Sequence, residues 1–239
     1  MTPANEPDMA RLPFAAMGTV LTLGFYLVVV IFLGTYILKI MTWGKRGPVA
    51  GFRRKTVWTF FLGTMDIISL RRLFLVNPGL WFGEWVFHVS FVMVVARHLR
   101  FFLNPVPNWV WSIQPWGLIA GYLLPVSLLY ILVMKCIIEK KKYLSSYNFL
   151  LIALLSALSL SGLLMGTMFP ADFIAIKAFV IGIFTFSPRP APDSLLFIAH
   201  FIFFLIFVAY LPTHIIAAPL VLLEARMREK GLDKVIHEK

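Results

Sequence analysis

The sequence predicts an all-α integral membrane protein: a bundle of five transmembrane helices, with the N-terminus outside and the C-terminus in the cytoplasm. Three observations carry this expectation. Of 239 residues, 60% are hydrophobic and 14% charged, whereas a soluble domain is about a quarter charged. Five apolar runs are long enough, at about 1.5 Å rise per residue, to cross a hydrocarbon core of roughly 30 Å. The basic residues fall between those runs. The net charge of +11 therefore reads as membrane topology, not as a nucleic-acid-binding face.

The runs lie at about 14–40, 81–103, 116–134, 147–169 and 195–220 and make one membrane domain over 1–239. The stretch before the first run, MTPANEPDMARLPF, has neither a basic n-region nor a clear small-residue cleavage site. The run is also too long for a signal peptide, so it is expected to be a retained span. Two further apolar stretches are expected to be interfacial, lying along the surface or capping the bundle. The segment 56–76 is interrupted by Asp66 and closed by Arg71 and Arg72. The segment 171–186 is bounded by Pro170 and Pro188 and covers only about 24 Å as a helix.

Orientation follows from the cations. Lys45, Arg46, Arg53, Arg54, Lys55, Arg71 and Arg72 follow the first span, and Lys135, Lys140, Lys141 and Lys142 follow the third. Arg226, Arg228, Lys230, Lys234 and Lys239 close the chain. These sixteen of the twenty-two Lys and Arg share one side, which the positive-inside rule makes the cytoplasm. Gly117 with Gly121 and Gly162 with Gly166 have the spacing that lets helices approach closely. The single cysteine, Cys136, excludes a disulfide framework and a Cys-ligated iron–sulfur cluster within this chain. No C-x-x-C-H occurs for covalent haem.

Four of the five histidines sit in two spans, His88 and His98 in the second, His200 and His214 in the fifth. An ionisable group inside a span is expensive unless it faces protein, water or a cofactor. Ten residues rise about 15 Å and fourteen about 21 Å, and both spacings return to broadly the same helix face. The two spans run in opposite directions, so His98 matches His200 at the outer depth and His88 matches His214 at the inner. Two imidazoles facing each other across two helices suit a six-coordinate haem iron. Two such pairs would hold two b-type haems in a transmembrane stack. A zinc or copper site would want three or four converging ligands, and a proton relay would want acids among the histidines. Glu84, one turn before His88, is expected to be an interfacial anchor.

The stretches WVFHVSFVMVVARHLRFFLNPVP and AHFIFFLIFVAYLPTHIIAAPLVLLEARMREK resemble the cytochrome b (gamma) subunit family of respiratory nitrate reductase. Within it the likeness is to the membrane cytochrome b of the sulfite-reductase-associated electron-transfer complex, with the membrane subunit of heterodisulfide reductase a near relation. The resemblance runs from Phe14 onward, and its most specific element is the ten-residue F-H…H spacing. It implies that His88, His98, His200 and His214 are the axial ligands of two haem b groups. It also implies a menaquinone or ubiquinone substrate, a cytoplasmic iron–sulfur partner subunit, and a place in an anaerobic respiratory complex of the cytoplasmic (inner) membrane. In the nitrate reductase branch the last two ligands lie about one turn (~3.6 residues) further apart. Leu118 falls where that branch carries a quinol-site lysine, so no quinone site transfers.

The leading expectation is a di-haem, quinone-linked electron-transfer subunit, in which the protein supplies ligation, burial and distance. The rival is a membrane anchor with one haem or none that tethers a soluble redox partner. Arg97 and Arg100, beside the outer ligand His98, are candidates to bind haem propionates through paired hydrogen bonds. The alternative is that both snorkel to the outer interface.

Overall fold

The computed structural model describes residues 12–45, 69–138, 146–212 and His214. Among the described residues the regular structure is entirely helical. The helices are α1 (Leu12–Lys45), α2 (Arg71–Val76), α3 (Pro78–Phe102), α4 (Asn108–Ser112), α5 (Gln114–Ile138), α6 (Ser146–Thr167), α7 (Phe173–Phe184) and α8 (Leu195–Pro212). Five of them, α1, α3, α5, α6 and α8, are long and apolar enough to cross a membrane, in the order the sequence predicts.

The boundaries have local causes. α3 begins three residues before the predicted run because Asn77 caps it: its Oδ1 accepts the Leu80 amide at 2.9 Å. Pro78 then fills the first helical position, where its missing N–H is no loss. α5 continues past the predicted end at 134, so Lys135 lies in its last turn. Residues 56–68 of the first interfacial segment, Lys140 to Lys142, the basic cluster at Arg53, Arg54 and Lys55, and the end of the fifth run beyond His214 lie outside the described residues.

The chain forms two compact units, one made of the residues up to Val28 with Phe82–Phe207, the other of Val29–Trp81 with the residues from Val208 onward. In the first unit, side-chain pairs give the helix directions. Gly83 abuts the Tyr130 ring and Glu84 pairs with Lys135, while near the other ends Gly117 abuts Arg97 and Arg100 bonds Gln114. α3 and α5 are therefore antiparallel. α3 and α8 are antiparallel too, since Phe91 meets Phe207 and His98 meets His200. α6 packs along α5.

The core of this unit gathers around the short helix α7. Asp172 caps it, accepting the Ile174 amide at 2.8 Å. Ile176, Phe179, Val180 and Ile183 are buried against Leu21 of α1 and Phe197, Ile198 and Phe201 of α8. The segment 171–186 thus supplies core side chains at this end of the unit. Phe179, fully buried, meets Phe197 and Phe201 edge-on at 5.6 and 5.3 Å. Close packing of this kind matters because lipid is as apolar as leucine and offers no hydrophobic drive for helix association. Tyr26 donates to the Ile183 carbonyl at 2.7 Å, satisfying one of the carbonyls that a helix end leaves open. Gly18 lets the extended stretch before α8 cross α1, because a Cβ there would collide with the Arg189 carbonyl.

In the second unit, Phe32 and Tyr36 stack along α1. Trp81 donates its indole N–H to the Ser69 carbonyl at 2.9 Å and meets Phe74 edge-on.

Phe179→Ala should lower stability by about 3–5 kcal/mol, whereas Leu195→Ala, at a side chain 81% exposed, should change it by about 0.5 kcal/mol or less. Equilibrium denaturation in detergent micelles measures both.

Candidate haem site

His98 of α3 and His200 of α8 face each other with ring centroids 6.4 Å apart and planes within 9° of parallel. The Nδ1 atom of each is engaged. His98 Nδ1 lies 2.7 Å from the Val94 carbonyl. A carbonyl only accepts, so Nδ1 carries the proton and the neutral ring keeps its lone pair on Nε2. His200 Nδ1 lies 2.9 Å from Ser161 Oγ. That hydroxyl donates its own proton to the Leu158 carbonyl at 3.0 Å, so it accepts from His200. His88 repeats the pattern on the Glu84 carbonyl at 2.6 Å. These tautomers are assigned from the bonding network. Outward bonds from the second ring nitrogen are what orient metal-ligating histidines.

The centroid separation of the His98–His200 pair is the one an iron held between two Nε2 atoms would require. With Nε2–metal distances of about 2 Å, the two ring centroids would sit roughly 6.3 Å apart. Among the described residues no three His, Cys, Asp or Glu side chains converge into a metal-binding group, so the donors here come as a pair.

Two glycines shape the site. A Cβ on Gly162 would lie 3.0 Å from His200 Cε1, and one on Gly117 would clash with the Arg97 side chain. Their spaced partners Gly121 and Gly166 would have nothing within 4 Å. The small-residue pairs that the sequence offers as helix contacts are thus single clearances for site residues.

Arg100 donates from Nη1 to Gln114 Oε1 at 3.1 Å, with its guanidinium over Phe101 and Phe173 at 4.8 and 5.2 Å from the ring centres. Its Nε is buried with no hydrogen-bond partner among the described residues. Gln114 is itself held by donation to the Val110 and Arg97 carbonyls. A cation paired with a neutral amide keeps a spare donor and an uncompensated charge in an apolar setting, which favours an anion beside it.

Toward the other end of α3, His88 is half-exposed and lies 4.0 Å from Glu84 Oε2. Glu84 pairs with Lys135 at 3.3 Å, both less than a fifth exposed. Glu84, expected from the sequence as an interfacial anchor, and Lys135 are partners joining α3 to α5. His214 is helical and exposed. It belongs to the second unit and His88 to the first, so the pairing of these two rests on the sequence. Ser161 and Gln114 were not singled out from the sequence; each is one polar residue at an apolar helix, and only the packing shows what it holds.

No family model matches the chain, and no solved structure matches it. Two curated proteins do, each described as an Hdr-like menaquinol oxidoreductase cytochrome b-like subunit. The one from Archaeoglobus profundus is 33% identical over 150 residues, covering 56% of this chain and 44% of the relative. The one from Archaeoglobus fulgidus is 31% identical over 150 residues, covering 56% and 45%. The chain spans about half the length of these relatives.

Glu84→Gln should leave Lys135 as a half-satisfied charge among apolar side chains and destabilise the protein by about 1–3 kcal/mol. Adding Lys135→Met should recover part of that loss, which a double-mutant cycle on denaturation midpoints measures.

Proposed function

We propose that this chain is a di-haem b-type cytochrome subunit that passes electrons between a menaquinone or ubiquinone pool and a cytoplasmic iron–sulfur partner subunit. It sits in the cytoplasmic membrane as one membrane domain, N-terminus outside, within an anaerobic respiratory complex. The observation that carries this reading is the near-parallel His98–His200 pair at 6.4 Å, with both Nδ1 atoms occupied elsewhere. Similarity to the two Archaeoglobus cytochrome b-like subunits supports the cytochrome b and menaquinol elements. The motif likeness to the nitrate reductase gamma family supports the quinone link and the second ligand pair, His88 with His214.

Bound haem iron supplies a one-electron couple. The chain does the rest. His98 and His200 would hold that iron through their Nε2 atoms, and a group held from the chain on both sides would suit electron passage. The Val94 carbonyl and the Ser161 hydroxyl hold the two rings in the ligating tautomer. Arg100, with Nε unpartnered, and its neighbour Arg97 offer positive charge and donors to the propionate carboxylates. Sixteen basic residues on the inner side steer the partner and fix its orientation more than they add affinity. The chain carries no cluster-ligating cysteine set, so its electrons must come from or go to another subunit.

Reduced-minus-oxidised spectra and haem assay of the purified protein test this directly. About two low-spin b haems per chain are expected. His98→Ala and His200→Ala should remove the same one, and His88→Ala and His214→Ala the other. Wild-type haem content in any of these four variants would show the ligand set to be wrong, and a haem-free wild-type protein would leave only a membrane anchor.

Arg97→Gln and Arg100→Gln should lower the potential of the outer haem, because removing nearby positive charge favours the ferric state. A shift no larger than that of a remote surface arginine would sink the propionate role.

Charge reversal at Arg53, Arg54 and Lys55 should weaken co-purification of the iron–sulfur subunit in a salt-dependent way and leave the haem spectrum intact. Isolation of this chain alone, competent with quinol and a soluble acceptor, would defeat the partner.

A further inference from the structure

Resting on the haem reading, we propose that Ser161 and Gly162 of α6 form the positioning site for His200, the serine setting the ring's electron donation and the glycine its place. The two axial candidates are held differently. His98 gives its Nδ1 proton to the Val94 carbonyl of its own helix, an acceptor that no side-chain substitution removes. His200 gives its proton to a side chain on a neighbouring helix, Ser161 Oγ at 2.9 Å.

The haem reading sets the direction of that bond. A hydroxyl has one proton, and Ser161 spends it on the Leu158 carbonyl at 3.0 Å. Its lone pair therefore faces His200 Nδ1–H. The reverse arrangement would break the bond to Leu158 and move the imidazole proton to Nε2, closing the nitrogen that must bind metal. Ser161 is buried, 6% exposed, so water does not compete and the bond is stronger than it would be in solvent. Donation from Nδ1–H raises the basicity of the ligating nitrogen, which stabilises the ferric over the ferrous state. Gly162, the next residue, abuts the ring: a Cβ would sit 3.0 Å from His200 Cε1. A longer side chain there would displace the imidazole from its place beside Ser161.

Redox titration of the full chain, following the haem signal that His98→Ala abolishes, tests both halves. Ser161→Ala should keep a low-spin spectrum but reduce more readily, shifting the reduced-to-oxidised ratio about fivefold at the wild-type midpoint. Ser161→Thr, which restores a hydroxyl, should return the titration toward wild type. Gly162→Val should lose this haem while the other is retained. A Ser161→Ala titration that superimposes on wild type, or a threonine variant that behaves like alanine, overturns the role of the hydroxyl. A Gly162→Val protein with wild-type haem content overturns that of the glycine. If the alanine variant fails to hold haem, Ser161→Cys decides: as a weaker acceptor it should titrate above Ser161→Thr, and equality overturns the proposal. A wild-type protein without low-spin haem overturns the haem reading and this inference together, whereas wild-type haem with an unmoved Ser161→Ala potential overturns this inference alone.

Discussion

A histidine inside an apolar span must have both ring nitrogens employed, because lipid offers neither a donor nor an acceptor. Much of the described site follows from meeting that demand at His98 and His200. α3 supplies the Val94 carbonyl to one ring, and α6 brings a serine to the other. What remains on each ring is a lone pair at Nε2, and the two rings lie 6.4 Å apart by ring centre, which is the observation behind the proposed iron site. The helices are thus arranged around a donor pair as much as around an apolar core.

The same logic accounts for the end of the bundle near these rings. Arg100 sits among Phe101, Phe173 and Gln114, where ring faces and a neutral amide compensate the cation in part and an anion beside it would complete the compensation. The aromatic cluster around Phe179 of the twelve-residue helix α7 closes this end. Packing, ligation and charge therefore meet within a few turns of α3, α7 and α8. The Glu84–Lys135 pair toward the other end of α3 neutralises two charges that are both largely buried.

The helical class, the five spans and the opposed directions of α3 and α8 are legible in the sequence, because hydropathy, length and charge between runs are local quantities. The face-to-face placement of His98 and His200 is legible as well, from helical period and direction alone. Ser161, Gln114 and the Glu84–Lys135 pair are not. Each depends on which residue of a neighbouring helix arrives at the same height, and a single polar residue in an apolar run carries no sign of that. The glycines show the limit most clearly. Their four-residue spacing suggested helix–helix contact, yet Gly117 and Gly162 clear space for Arg97 and His200, and their spaced partners clear space for nothing. A spacing rule reads the pattern along one helix, while the function of a missing Cβ lies in what approaches it. The pairing of His88 with His214 remains a sequence inference, resting on spacings of ten and fourteen residues and the opposed directions of the two spans.

The central claim is that two imidazoles, those of His98 and His200, ligate one iron. Near-infrared magnetic circular dichroism of the purified, oxidised protein reads axial ligation from the position of the low-spin ferric charge-transfer band. The account predicts a low-spin band at the position characteristic of two neutral imidazoles. A high-spin spectrum, or a band at the histidine–methionine position, would contradict it.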